Sequence, residues 1–273
     1  MADAPAPLRC DARVVARSDE GGANHRLVLA VEGWPGASPG QFVMLSPGVR
    51  AGVERTDPLL PRPMAVYRQR ELPGGAEVEI LFKRHGRGTA LLALARAGET
   101  VRLVGPLGRG FALPAPDETP ILAAGGTGIA SVYELASRLA AAGQPAAVLL
   151  GARSARDLMA EDDFVALPGP LRIATEDGSR GDRGVVTDLL ERELAARSRP
   201  RVYACGPTAM MRRCADVARA AGVPCSVSLE NPMACGFGVC LGCAAPLSAG
   251  GFALVCREGP VFDAADVAWE GLA

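Results

Sequence analysis

Four cysteines near the C-terminus constrain this chain more than any other feature of its sequence. Cys235, Cys240, Cys243 and Cys256 follow the spacing C-x4-C-x2-C-x12-C. This is the plant-type arrangement, in which four thiolates hold a [2Fe-2S] cluster. The glycines between them let a loop wrap closely around such a cluster. A structural zinc site is the alternative, but zinc sites usually contain two C-x2-C pairs and this chain has one.

The N-terminal residues indicate where the chain resides. The first twenty residues carry several charges and no apolar run, which predicts neither a signal peptide nor a transit helix. We therefore expect the chain in the cytoplasm, where thiols stay reduced and disulfides are rare. The uncharged stretch 119–133 is too short and glycine-rich to span a bilayer. With 29 Lys plus Arg against 30 Asp plus Glu, no net field favours binding of nucleic acid or a membrane.

The pattern of residues changes twice along the chain and predicts three domains. Residues 1–114 contain short β-like runs between glycine and proline turns, which predicts an antiparallel barrel. A helical pattern from Thr89 to Glu99 interrupts these runs, and Gly98 is placed to end that helix. Residues 115–224 alternate strands and helices, which predicts a parallel sheet covered by helices. Residues 225–273 lack either periodicity and form a small cysteine-rich domain.

A possible phosphate site lies in the barrel. Arg62 and Pro63 open the run RPMAVY, and Gly86, Gly88 and Thr89 precede the predicted helix. Free amides and the helix dipole at such a turn suit a phosphate. Without Arg62, an ordinary turn with Thr89 as the helix N-cap is the favoured explanation of the glycines. Together with Arg62, the turn favours a dinucleotide such as FAD.

A second glycine turn lies between the first strand and helix of the α/β domain. It suits a pyrophosphate, although it is not a strict G-x-G-x-x-G fingerprint and an ordinary glycine turn is the alternative. Arg153 and Arg156 follow the next strand, where they would meet the 2'-phosphate of NADP or remain solvated surface charges. NAD and NADP therefore both stay open. The candidate residues of the turn are Gly125, Gly126, Thr127 and Gly128.

Another candidate nucleotide contact lies at the end of a later strand. Cys205 begins the run CGP, and strand ends in such sheets face the ligand crevice, so its thiol could lie near a nicotinamide, with Gly206 and Pro207 beside it. Asp177, with Gly178 and Asp182 nearby, could contact a ribose, but loops of this composition are usually turns. The remaining cysteines and both histidines are expected to be structural or surface residues.

The whole chain resembles the ferredoxin reductase superfamily and, within it, the electron transfer subunits of class 1B dihydroorotate dehydrogenases. The similar motifs cover nearly every residue, and the two that include the cysteines are the most specific. They are RPMA at Arg62, GRGT at Gly86, GPLGRGF at Gly105, AAGGTGIA at Ala123, TEDGSRGDRGVVTDLL at Thr175, YACGPTAMM at Tyr203, SLENPMACGFGVCLGC and VCREGPVF.

The resemblance implies a β barrel plus α/β fold with an FAD-binding barrel, an NAD-binding domain and a [2Fe-2S] loop domain. One departure is visible, because the family usually has Ser where this chain has Ala65, so a hydroxyl contact to the flavin is missing. The residues that the resemblance implies for FAD are Arg62, Pro63, Met64, Ala65, Leu81, Phe82, Lys83, Gly88 and Thr89.

The resemblance also implies a function. NAD would exchange a hydride with FAD, FAD would exchange single electrons with the cluster, and the cluster would connect to FMN in a separate catalytic subunit. That subunit would oxidise dihydroorotate to orotate in pyrimidine biosynthesis, within a heterotetramer. No residue of this chain is expected to act as an acid or base.

Other functions stay open. Related NADH-dependent ferredoxin:NADP oxidoreductases often have Asp at the position of Cys235, which favours the dihydroorotate assignment. The alternatives are a ferredoxin:NAD(P) reductase or diaphorase subunit of another complex, a redox sensor, and a zinc-stapled binding module.

Overall fold

A computed structural model describes residues 6–50, 53–54 and 57–272. The first part of the chain forms a seven-stranded antiparallel sheet in the order β6-β3-β9-β1-β2-β8-β7. Apolar side chains alternate along its strands and pack inside the curved sheet, which confirms the predicted antiparallel architecture. The strands are β1 (Leu8–Asp19), β2 (Asn24–Glu32), β3 (Phe42–Pro47), the two-stranded pair β4 (Val49–Arg50) and β5 (Val53–Glu54), β6 (Arg62–Ala65), β7 (Arg68–Leu72), β8 (Gly75–Lys83) and β9 (Thr100–Leu107).

The helix of the barrel domain is shorter than predicted. It spans Arg87–Leu92 (α1), whereas the sequence pattern predicted a helix over 89–99. The following residues form a turn that is hydrogen-bonded to β1: Gly98 N donates to Val14 O at 2.9 Å, and Val14 N donates to Glu99 O at 2.8 Å. These contacts with the sheet replace the helical ones that the local pattern favoured.

The second part forms a seven-stranded sheet in the order β13-β12-β11-β10-β14-β15-β18, parallel except for β18. Helices α4 and α5 cover one face and α2 and α3 cover the other, so the central strands are apolar throughout. The elements are β10 (Thr119–Gly125), α2 (Ile129–Ala141), β11 (Ala147–Ala152), α3 (Glu161–Val165), β12 (Leu171–Thr175), β13 (Asp182–Arg183), α4 (Val186–Ala196), β14 (Pro200–Cys205), α5 (Thr208–Ala220), β15 (Cys225–Ser228), the hairpin β16 (Ala244–Pro246) and β17 (Phe252–Leu254), and β18 (Val261–Asp263).

This sheet extends past residue 224, where the sequence analysis placed a domain limit. β15 pairs with β14 in parallel, and β18 returns from the cysteine-rich segment to pair with β15. All four residues of β15 are buried. A single buried strand of this length carries no recognisable periodicity, which explains why it was assigned to the next domain. The predicted limit at 114 lies in the connection between β9 and β10.

The barrel and the second sheet are joined by an ion-pair network around Asp163 of α3. Its carboxylate accepts from Arg26 Nη2 at 2.6 Å and from Tyr67 Oη at 2.6 Å, and it lies 2.7 Å from Arg68 Nη2. Tyr67 is also fully buried against α2. These contacts fix the orientation of the two sheets. Within the described ranges, none of the helices could serve as a transmembrane span.

Candidate functional site

The first cleft lies between the barrel and the second sheet and is called here the barrel cleft. Its volume is about 650 Å³. β6, the end of β8 and α1 form one wall, and the start of α2 and residues 228–233 form the other. Of the residues predicted to bind FAD, those lining the cleft are Arg62, Pro63, Met64, Ala65, Leu81, Phe82, Lys83 and Thr89.

Arg62 supplies an unpaired positive charge to the barrel cleft. Among the described residues it forms no ion pair, and its Nη1 donates to Leu60 O and Pro61 O. Its guanidinium packs against Gly88, where an added Cβ would lie 2.6 Å from Arg62 Nε. Gly88 therefore does not line the cleft, but its lack of a side chain gives Arg62 its position. A guanidinium without a carboxylate partner is suited to the phosphates of a dinucleotide.

Thr89 is not the helix N-cap that the sequence suggested. α1 begins at Arg87, with Gly86 as its N-cap. The Thr89 hydroxyl accepts from His85 N at 2.9 Å and Gly86 N at 3.0 Å, and donates to Gly86 O at 3.0 Å. The side chain therefore holds the glycine turn in place.

The second cleft, called here the nucleotide cleft, has a volume of about 660 Å³. It lies at the carboxyl ends of β10, β11 and β12, which is where ligands bind in open parallel sheets. Predicted residues in its lining are Gly125, Gly126, Thr127, Pro207 and Arg153.

The barrel also contributes Asn24 and Lys83 to the nucleotide cleft. The side chain of Asn24 is buried, and its Oδ1 has no partner among the described residues. A buried acceptor without a partner, in a residue that lines a cleft, fits a site that a polar ligand completes.

Three predicted nucleotide contacts lie behind the cleft walls. At Gly128 an added Cβ would lie 2.3 Å from the backbone of Cys205, and at Gly206 it would lie 2.8 Å from Gly125 O. Both glycines allow α2 and α5 to start close against the sheet. The Cys205 thiol is fully buried and donates to Ser228 O at 3.5 Å, and burial raises its pKa to about 12. It lines neither cleft, contrary to the expectation from its position at a strand end.

The two clefts meet at Lys83, Thr127 and Glu230, which line both of them. The Thr127 hydroxyl donates to Glu230 Oε1 and Oε2, at 3.3 Å each. The carboxyl group is open to the clefts but surrounded by protein, and this desolvation raises its pKa although the Thr127 hydrogen bond lowers it. Sequence reasoning missed Glu230. It lies inside the motif SLENPMACG, but nothing local marks it as a cleft residue.

The loop that contains the four cysteines brings their thiols together in two pairs. Cys243 Sγ lies 3.2 Å from Cys256 Sγ, and both residues are buried. Burial and contact with Cys243 together raise the pKa of Cys256 to about 12. Cys235 interacts with Cys240. Burial opposes ionisation of Cys235, but hydrogen bonds from the amides of Cys240 and Phe237 outweigh it and lower its pKa to about 6.

The paired arrangement differs from a site for one metal ion. Within the residues that the structure describes, no group of three or more His, Cys, Asp or Glu side chains is placed to hold a single ion. A [2Fe-2S] cluster instead needs two thiolates at each of two irons. Two thiol pairs in one loop, with backbone amides of Cys240 and Phe237 donating to Cys235, fit such a cluster.

The cysteine loop is packed directly against the barrel cleft. Met233 lines this cleft and lies two residues before Cys235, so their Cα atoms are at most about 8 Å apart. Gly236 has a φ of 84°, and an added Cβ would lie 2.5 Å from Met44 Cγ of β3. Glycine is therefore required here both by backbone conformation and by the close approach to the barrel.

The outer side of the same loop is apolar. Phe237, Val239 and Leu241 are exposed by 54%, 75% and 63%, and Cys240 between them is also exposed. Exposed apolar side chains grouped in this way mark interaction surfaces in soluble proteins.

Two family models match the chain. Residues 230–268 match the iron-sulfur cluster binding domain of dihydroorotate dehydrogenase B, and residues 122–216 match an oxidoreductase NAD-binding domain. The first match contains all four cluster cysteines and Glu230, and the second contains the glycine turn and Cys205.

Curated relatives match across most of the chain. The electron transfer subunit of dihydroorotate dehydrogenase B (NAD(+)) from Desulforamulus reducens is 40% identical, over 86% of this chain and 88% of the relative. The subunit of the same name from Listeria monocytogenes is 34% identical, over 95% of this chain and 99% of the relative.

Solved structures agree with the fold. A structure of an NADH-dependent reduced ferredoxin-NADP oxidoreductase, described for flavin-based electron bifurcation, has a TM-score of 0.82 at 29% identity and covers 99% of this chain and 92% of its own. The ferredoxin reductase of carbazole 1,9a-dioxygenase has a TM-score of 0.67 at 21% identity, over 80% of this chain and 67% of its own.

Proposed function

Because this chain belongs to the family of electron transfer subunits of dihydroorotate dehydrogenase B, we propose that it carries electrons between NAD and an FMN-containing catalytic subunit that oxidises dihydroorotate to orotate. One observation supports this route above all others. The barrel cleft shares Thr127 and Glu230 with the nucleotide cleft on one side, and on the other side Met233 leads into the cysteine loop. A group in the barrel cleft would lie between the other two.

The three groups supply complementary chemistry: FAD exchanges a hydride with NAD and single electrons with the [2Fe-2S] cluster. The protein holds them. Arg62 would pair with the FAD phosphates, and the backbone of β6 and of the end of β8 would contact the flavin. The side chain of Ala65 offers no hydroxyl, so its contact with the flavin is made by the backbone. Apolar side chains of Phe42, Leu81 and Met233 line the same cleft and would shield a bound flavin from water.

The nucleotide cleft would hold NAD with its pyrophosphate at the turn of Gly125, Gly126 and Thr127, beside the N-terminus of α2. Pro207 forms the opposite edge. The nicotinamide would then point toward Glu230, where the two clefts meet. Since its pKa is raised, the Glu230 carboxyl retains its proton to higher pH than an ordinary glutamate.

The four cysteines would bind the cluster as two pairs, Cys235 with Cys240 on one iron and Cys243 with Cys256 on the other. The apolar side chains around Cys240 would contact the catalytic subunit, because the exposed edge of the loop is where electrons leave the chain. A heterotetramer with two copies of each subunit, located in the cytoplasm, completes the proposal.

A cysteine variant tests the electron route. Cys240→Ser is expected to remove the cluster absorbance and its electron paramagnetic resonance signal, while NADH still bleaches the flavin absorbance of the purified protein. Cys10→Ser is the matched control, because Cys10 is partly exposed and distant in sequence from the loop. Flavin bleaching that depends on Cys240 would contradict the order NAD, FAD, cluster.

The partner is tested separately by purifying the protein from its own cells and identifying the co-purifying proteins by mass spectrometry. A dihydroorotate dehydrogenase catalytic subunit in about equal amount would support the proposal. The similarity to the NADH-dependent reduced ferredoxin-NADP oxidoreductase favours one alternative, in which another oxidoreductase subunit takes its place. If only that other subunit is recovered, the proposed cofactor chemistry stands, but dihydroorotate is no longer the proposed substrate of the complex.

A further inference from the structure

Glu176 occupies the end of the nucleotide cleft that the proposed electron route leaves unused. It follows β12, and its N–H donates to Ala152 O at 3.1 Å. This bond holds Glu176 beside the end of β11, next to Arg153, and both side chains line the cleft. A carboxylate and a guanidinium are thus placed at the same strand ends, and they favour opposite ligands.

The charges around these strand ends do not favour a phosphate. Lys83 Nζ lies 3.1 Å and Arg153 Nη2 lies 3.9 Å from Asp157 Oδ1, so both cations face the same carboxylate. The third cation of the cleft, Arg213, pairs with Glu191 at 2.8 Å. Glu176 itself forms no ion pair within the described residues. Among the charged residues that line this end of the cleft, Glu176 is therefore the one without an ion-pair partner; Arg156 and Arg183 also form no ion pair within the described residues, but they do not line the cleft.

The direction of the bound nucleotide follows from the position of the two clefts. With the pyrophosphate at the turn of Gly126 and Thr127, the nicotinamide must reach the barrel cleft to exchange a hydride. The adenosine then extends the other way, toward the ends of β11 and β12. A carboxylate in that position accepts hydrogen bonds from ribose hydroxyls and repels a phosphate ester on the same ribose.

We propose that Glu176 makes this subunit selective for NAD over NADP by accepting a hydrogen bond from the ribose 2'-hydroxyl. The inference rests on the proposed function of the nucleotide cleft. It also assigns Arg153 a secondary role, although a cation after this strand would by itself suggest a 2'-phosphate. Arg153 already faces the carboxylate of Asp157, whereas Glu176 has no ion-pair partner. Glu176 therefore has the larger effect on which nucleotide binds.

The test uses two fragments without a nicotinamide, ADP-ribose and 2'-phospho-ADP-ribose. They cannot take part in hydride transfer, so binding is measured independently of activity by titration calorimetry on the purified protein with its cofactors. Wild-type protein is expected to prefer ADP-ribose. Glu176→Gln is expected to weaken ADP-ribose binding about tenfold, since a hydrogen bond to a charged acceptor is lost. The preference for ADP-ribose over 2'-phospho-ADP-ribose should therefore become smaller.

Three further variants make the outcome specific. Asp182→Asn removes a carboxylate from the neighbouring strand β13, outside the cleft lining, and should leave both affinities unchanged. Glu176→Asp retains the charge and should retain discrimination against the 2'-phosphate. Arg153→Ala should change the preference less than Glu176→Gln does. An unchanged visible spectrum in each variant shows that the cofactors and the fold are intact.

The failures are distinguishable. If wild-type protein binds neither fragment, the proposed nucleotide cleft is wrong and the inference falls with it. If it binds ADP-ribose but Glu176→Gln behaves like Asp182→Asn, the cleft is correct and Glu176 does not select the nucleotide. A preference that follows Arg153 would likewise overturn the inference.

Discussion

Replacement of Asp163 by Asn is expected to weaken the contacts between the barrel and the second sheet and so to lower the free energy of unfolding. The Asp163 carboxylate receives hydrogen bonds from Arg26 and Tyr67 of the barrel and forms an ion pair with Arg68. An amide can accept only part of these bonds and carries no charge. Two arginine side chains, exposed by 16% and 31%, then lose their carboxylate partner on the other sheet.

The size of the effect follows from this partial burial. Exposed ion pairs contribute about 0.2–1 kcal/mol, whereas breaking a buried pair costs about 3–5 kcal/mol. Asp163 is exposed by 24%, so we expect an intermediate loss of about 2–3 kcal/mol in the free energy of unfolding. For a chain of this size the melting temperature would fall by about 5–10 °C. NAD binding should weaken as well, because the nucleotide cleft includes Asn24 and Lys83 from the barrel.

The matched control is Asp162→Asn, which makes the same change one residue earlier on α3. Asp162 is exposed and forms no ion pair within the described residues. Thermal unfolding should be followed both by circular dichroism and by release of FAD, because two domains need not unfold together. If the two variants differ by less than about 0.5 kcal/mol, the network does not hold the domains together.

The pH dependence gives a second check on Asp163. Burial raises the pKa of this carboxyl, but the hydrogen bonds from Tyr67, Arg26 and Arg68 outweigh burial and leave the pKa lowered. A carboxyl whose pKa is lowered in the folded state stabilises that state at pH values above its unfolded pKa of about 3.9. This stabilisation is lost as the pH falls through the folded pKa. The difference between wild type and Asp163→Asn should therefore shrink below about pH 4. A difference that stays constant with pH would refute this electrostatic origin.

Three other predictions concern the cofactor sites. Arg62→Ala should weaken FAD binding about 10- to 100-fold, because a charge-assisted contact to phosphate is lost. Arg87→Ala breaks an exposed ion pair with Asp57 and should leave FAD binding unchanged. Fluorescence titration of FAD-free protein measures both affinities. As the pH rises, the melting temperature of Glu230→Gln should increase relative to that of wild type, because ionisation of a carboxyl whose pKa is raised in the folded state destabilises the protein. A difference in melting temperature that does not change with pH would refute the assignment. Gly236→Ala should lose the cluster signals and retain FAD. Gly250 has a similar φ of 89° but open space around it, so Gly250→Ala should retain both the cluster signals and FAD. If the two variants lose the cluster signals equally, backbone strain and not the contact with Met44 is the cause.

The cluster ligands could be predicted from the sequence because they are local. Cys235, Cys240 and Cys243 belong to one short loop, and their spacing is imposed by the size of the cluster and not by distant contacts. The glycine turn after β10 was predictable for a similar reason, since a strand, a turn and a helix follow one another along the chain. The family resemblance rests on the same local motifs.

Residues whose position depends on long-range packing were misassigned or missed. The helix predicted to reach Gly98 ends at Leu92, because hydrogen bonds to β1 compete with the helical pattern. β15 was assigned outside the sheet because its only signal is its pairing with β14. Cys205 ends a strand as expected, yet the close approach of Gly128 places its thiol behind the cleft wall.

The cofactor chemistry that this chain supports could be predicted before the fold was known, because each motif spans only a few adjacent residues. The way in which the three sites meet depends instead on how the two sheets pack together. Lys83, Thr127 and Glu230 come from three distant segments and reach one junction because β8, the turn before α2 and the segment after β15 are brought together by the two sheets. Such a junction leaves no periodic pattern in the chain, since its geometry is set by strand order and domain packing.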